Sequence, residues 1–91
     1  MIARLVFWSL AETAADLDDL RDAVDEGGET PSGRRFVAFV SDESSERFGE
    51  FSIWDSVEDS ELAGPGRIGE VAGRAPDLWE HFDLEGWEGR L

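Results

Sequence analysis

The chain has 91 residues, with 22 acidic side chains against eight basic ones, every one of the eight an arginine, and a formal net charge of −14. A surface this negative repels nucleic acid and anionic lipid, because both need clustered positive charge to replace counterions, so neither a nucleic-acid nor a membrane partner is expected. Cysteine is absent, which excludes disulfides, thiolate metal sites and cysteine nucleophiles.

Residues 2–10 are β-branched, aromatic and leucine-rich, which predicts a strand. Thr13-Ala14-Ala15-Asp16 has the form of a capping box with Asp in the Glu position. Leu17, Leu20 and Val24 follow at i, i+3 and i+7, with Asp16, Asp18, Asp19, Arg21 and Asp25 turned outward. This is an amphipathic helix, ended by Gly27-Gly28. Thr30-Pro31-Ser32-Gly33 marks a turn. Residues 35–41 predict a second strand and residues 47–55 a third, joined as an antiparallel hairpin through the polar stretch 42–46. Asp55 or Ser56 can cap a short helix over 57–63, which Gly64-Pro65-Gly66 interrupts. A second helical piece is expected over 67–74, with Ile68, Val71, Ala72 and Ala75 on one face. Residues 78–84 predict a fourth strand, and 86–91 a tail.

The order is β-α-β-β-α-β. It predicts a single α+β domain over residues 1–91 with the ferredoxin-like arrangement: a four-stranded antiparallel sheet with two helices on one face, the second helix broken. Strand alternation divides the sheet residues into two sets. Leu5 and Phe7 alternate with Arg4, Val6 and Trp8. Phe51 and Ile53 alternate with Glu50, Ser52 and Trp54, and Phe82 and Leu84 with His81 and Asp83. The apolar set is expected under the helices. The mixed set, with Trp8, Trp54 and Trp79 among charges, is expected on the helix-free face, where it meets a second copy of the chain.

The βαββαβ order, the strand-into-helix stretch FGEFSIWDSVEDSELA (48–63) and the closing aromatic strand LWEHFDL (78–84) resemble the dimeric α+β barrel superfamily. Within it the chain is most similar to the small mono-oxygenases of the antibiotic-biosynthesis type. The resemblance implies a homodimer whose two sheets pack face to face into a barrel. It also implies a small-molecule pocket in each subunit, between sheet and helices or within the barrel. It rests on order and spacing, so no catalytic residue is carried over from it.

Candidate site residues come from chemistry alone. His81 is the only histidine and the natural candidate for a general base, beside Glu50 or Asp83. Arg4, Trp8, Glu50, Ser52 and Trp54 share its strand parity and are the candidate substrate-binding residues. Arg4 offers a fork for a substrate carboxylate. The plainer reading makes Arg4 the ion-pair partner of Glu50 or Asp83, and the tryptophans dimer-core residues. Arg34-Arg35 and Arg67 read as surface partners of the many acids. Gly64-Pro65-Gly66-Arg67-Ile68-Gly69 lacks the lysine of a phosphate loop and reads as a turn or a lid. No spacing fits a metal site, and no cofactor is expected.

Two functions remain open. One is a metal-free mono-oxygenase-like enzyme acting on a small aromatic or quinone-like compound. The other is a non-catalytic ligand-binding or regulatory dimer. An RNA-binding module on the same topology is disfavoured by the charge and by the third strand, which lacks the basic-aromatic pattern. Residues 1–8 lack the basic start and cleavage site of a signal peptide, so a cytoplasmic location is expected. The acidic excess fits a salt-loaded, halophile-like interior, and it makes a prediction. The melting temperature should climb between low and molar potassium chloride, because the Debye length shrinks from ~10 Å at 0.1 M to ~3 Å at 1 M. A flat or falling melting temperature across that range would reduce the composition to codon bias.

Overall fold

In the computed structural model, which describes residues 1–44 and 46–89, the first strand, β1 (Ile2–Ser9), runs through the middle of a four-stranded sheet. A 3₁₀ turn (Leu10–Glu12) leads into α1 (Leu17–Glu26). Then come β2 (Arg34–Asp42), β3 (Arg47–Trp54), α2 (Val57–Ala63), α3 (Gly66–Ala72) and β4 (Leu78–Asp83). The strands lie in the order β2-β3-β1-β4 and every neighbouring pair is antiparallel. This is the expected ferredoxin-like α+β fold, with the second helix broken into α2 and α3.

The helix starts follow local chemistry. α1 is capped by Asp16, not by Thr13 as the Thr-x-x-Asp spacing predicted. The Asp16 carboxylate accepts from the Asp19 backbone N–H at 2.9 Å, and the Asp19 carboxylate accepts from the Asp16 N–H at 3.0 Å. Both acids of this box, with Asp18, sit at the positive end of the helix dipole. The Thr13 hydroxyl is directed instead at the carbonyls of Leu10 and Ala15, which belong to the 3₁₀ turn and the link to α1. Ser56 caps α2 through the Asp59 N–H at 3.1 Å. α2 ends at Gly64, whose φ of 65° favours glycine.

The core lies between the sheet and the helices. Val6, Trp8 and Phe48 from the sheet pack with Leu20 and Ala23 of α1 and with Ile68 and Ala72 of α3. Trp8 is fully buried, and its indole N–H donates to the Arg74 carbonyl at 3.1 Å. The two strand sets are therefore the reverse of the expectation. The mixed set, Arg4, Val6, Trp8, Glu50, Ser52 and Trp54, faces the helices. Register places Trp79 and His81 with it, since Val6 pairs with Trp79 and Arg4 with His81. The apolar set faces the side without helices: Leu5 pairs with Phe51, Ala38 with Phe51, and Ala3 with Phe82. The reversal is tolerated because the polar groups are satisfied internally. Among the described residues no buried side-chain nitrogen or oxygen lacks a hydrogen-bond partner. No described helix is long and apolar enough to cross a membrane.

Candidate functional site

Arg4 organises the helix side of the sheet. It is 2% exposed, and its guanidinium lies between two indoles, 4.6 Å from the Trp54 ring centroid and 4.7 Å from that of Trp79. Two strands thus supply an aromatic clamp for a desolvated cation, an arrangement worth ~2 kcal/mol or more per well-placed ring. Its Nε donates to Glu50 Oε1 at 3.0 Å and its Nη2 donates to the same oxygen. Its Nη1 reaches the helix layer, donating to the Ser60 hydroxyl at 3.2 Å and to the Gly64 carbonyl at 2.9 Å. One side chain of β1 therefore ties β3 to the end of α2.

The network extends in both directions. Ser52 Oγ donates to Glu50 Oε1 at 2.6 Å and accepts from the Trp54 indole N–H at 2.7 Å. On the other side, Ser60 Oγ lies 2.8 Å from His81 Nε2, and the His81 ring meets Trp79 edge-on at 5.9 Å. All three donors to Glu50 fall on Oε1. Oε2 takes no hydrogen bond from the described residues and, since no fully buried side-chain oxygen among them lacks a partner, it keeps the slight exposure left to Glu50, a residue of the cavity wall.

Beside this network lies a cavity of about 290 Å³ between the sheet and the helix layer. Arg4, Glu50 and Trp54 form part of its wall, with Val37 and Phe39 of β2, Val24 of α1 and Ile68 of α3. Gly64, Pro65 and Gly66 edge it; of the glycine-rich stretch 64–69, only Gly64 and Pro65 form the turn that breaks the helix, and Gly66 to Gly69 open α3. The volume is near the bottom of the ~300–1,000 Å³ usual for ligand sites, which limits an occupant to one or two rings.

The candidate residues divide as follows. Arg4, Glu50 and Trp54 line the cavity. Ser52 is buried behind them as the link between Glu50 and Trp54. Trp8 belongs to the apolar core and does not line the cavity. His81 shares the sheet face of Trp54, as alternation predicted, but is not in the cavity wall; it meets the network through Ser60 and through the ring of Trp79. Arg35 and Arg67 pair with the acids Asp55 and Glu26, as expected, although Arg67 also borders the cavity. The bidentate Arg35–Asp55 pair, at 2.7 and 2.9 Å, holds the Asp55 carboxyl below its ordinary value.

Arg34 is a correction, because it lines the cavity. A strict alternation would put it on the face of Phe36. The register instead slips between the two, so that Arg34 pairs with Trp54 while Phe36 pairs with Ile53. This β-bulge turns Arg34 to the helix side. Burial lowers the pKa of its guanidinium; nearby Glu50 partly offsets this, and Arg4 adds to it.

Comparison with known proteins supports the fold. No family model and no curated protein matches the sequence. Among solved structures the fold is similar to that of a "putative Antibiotic biosynthesis monooxygenase" from Chloroflexus aurantiacus J-10-fl. It superposes with a TM-score of 0.66 at 18% identity, covering 97% of this chain and 96% of that one. The two chains share one ferredoxin-like fold over nearly their whole lengths.

Proposed function

We infer that the protein is a small-molecule-binding homodimer, a mono-oxygenase-like enzyme acting on a one- or two-ring aromatic or quinone-like compound. The observation that carries this reading is the cavity itself. It has apolar walls, Trp54 as an aromatic surface, and a buried charged pair, Arg4–Glu50, fixed in place at its edge. Rigidly held polar groups in a largely apolar enclosure are what positions a small organic molecule and excludes water from it. The fold shared with a protein named as a mono-oxygenase agrees with it.

In a metal-free oxygenation the organic substrate itself supplies the electrons to dioxygen: a naphthol that loses its phenolic proton takes one oxygen atom on its ring and ends as the quinone, while the other oxygen atom leaves as water. Glu50 Oε2 is the acceptor nearest to hand. His81, acting through Ser60 on Arg4, is a positioning residue in this scheme. The reversed sheet supports the homodimer. In its middle, the helix-free face carries Leu5, Phe7, Phe36, Phe51 and Phe82 with Glu80 as a lone charge. Two chains of charge −14 can approach most closely through the face with the fewest carboxylates, so a second copy is the natural cover.

The test is a thermal-shift screen with 1-naphthol and related phenols, and with 1,4-naphthoquinone as the product-like ligand, in molar potassium chloride, followed by oxygen uptake with the phenols that bind. Uptake of dioxygen with product formation supports the enzyme. Tight binding without uptake supports the second reading, a non-catalytic ligand-binding or regulatory dimer. With a turned-over compound, His81→Ala should lower kcat while keeping the shape of the pH profile. A variant that loses one limb of the profile would instead make His81 the base.

A further inference from the structure

The cavity differs in charge from the protein that surrounds it. Six arginines have a carboxylate partner: Arg4, Arg21, Arg35, Arg47, Arg67 and Arg74. Arg34 has none among the described residues, in a chain with 22 acids. It is half-buried rather than extended into solvent. A bulge in β2 aims it into the cavity, beside Trp54. Arg4 and Arg67, the other lining arginines, are paired with Glu50 and Glu26. Among the described residues Arg34 is the lining arginine without an ion-pair partner, against two lining acids, Glu50 and Glu29.

We propose that the cavity selects small organic carboxylates, with Arg34 as the anchor for the anion. This rests on the reading of the cavity as the ligand site and names the class of molecule it takes. A guanidinium holds a carboxylate through two parallel N–H donors, a geometry that lysine does not offer. Val37, Phe39 and Ile68 then receive the apolar body of the ligand. A neutral ligand of the same shape fills the same space but leaves Arg34 desolvated without a counter-charge, which is unfavourable. The acidic exterior repels free anions, so selectivity has to come from this local contact.

Isothermal calorimetry on the full chain, at one fixed potassium chloride concentration, compares 1-naphthoate with 1-naphthamide. The amide keeps the rings and loses the charge. The wild type should bind the carboxylate about tenfold or more tighter, the size of one charge-assisted hydrogen-bonded contact. Arg34→Met, which keeps length and removes charge, should abolish that preference, so that the two compounds bind the variant within about threefold of each other. Equal binding of the two compounds by the wild type overturns the proposal while leaving the cavity as a ligand site. Binding of neither overturns both. An Arg34→Met protein that retains the preference also overturns the anchor. If that variant does not fold, the carboxylate–amide comparison on the wild type decides alone.

Discussion

Glu50→Ala should unfold the domain or come close to it. The substitution leaves the Arg4 guanidinium 2% exposed, between two indoles, with only neutral acceptors remaining on Ser60 and Gly64. Breaking a buried pair by removing one partner costs ~3–5 kcal/mol. For a domain of this size each kcal/mol moves Tm by roughly 4–8 °C, so a fall of more than about 12 °C is expected by calorimetry or circular dichroism. Replacing both partners together, Arg4→Met with Glu50→Leu, should recover most of the loss, because no charge is then stranded. A Glu50→Ala protein that melts within a few degrees of wild type would show that Arg4 is not held as described.

A charge on the helix-free face should have the second-largest effect. Phe51 lies in the middle of that face, pairing with Leu5 on one side and Ala38 on the other, and its ring meets Phe36 edge-on at 6.3 Å. In the homodimer proposed here, Phe51→Glu places a carboxylate on each side of the dyad in an apolar layer. Sedimentation at micromolar concentration in molar potassium chloride should give dimer mass for the wild type and monomer mass for the variant. Burying an unpaired carboxylate costs several kcal/mol, a loss of at least ~100-fold in dimer affinity. A wild-type monomer under those conditions would remove the barrel, and it would leave the apolar face without its proposed cover.

How the sequence relates to these results differs from element to element. The strands, the hairpin and the broken second helix are readable because each depends on near neighbours: period-two alternation, turn residues, and glycine–proline interruptions. The division of β1, β3 and β4 into two sets is equally local. Which set lies under the helices is not. It depends on Arg4 meeting Glu50, 46 residues away, and on Ser60 arriving from α2 to complete the cation's shell. Taken singly, Arg, Glu and His read as residues for an open face; taken together, they satisfy one another in the interior. The start of α1 was ambiguous for another reason. Thr13-x-x-Asp16 and Asp16-x-x-Asp19 both have the spacing of a capping box, and the 3₁₀ turn decides between them. Arg34 was hidden by its neighbour. In the Arg34-Arg35 pair, alternation gives the wrong face to the first arginine, because a bulge leaves no mark in the side-chain pattern here. The one usable signal was the surplus itself: two adjacent arginines, with Asp55 available to pair with Arg35.

The central claim is that the space between sheet and helices binds a small organic molecule. The four tryptophans give it a direct test, since their indole N–H groups are separate reporters in a nitrogen–proton correlation spectrum. Trp54 lines the cavity, Trp8 belongs to the core, and Trp87 is half-exposed near the end of the chain. On titration with 1-naphthol in molar potassium chloride, the Trp54 indole and the backbone amides of Gly64 and Gly66 should shift together along one saturable curve, while Trp87 stays fixed. An unchanged spectrum, or shifts confined to Leu5, Phe7 and Phe51 on the helix-free face, would contradict the account.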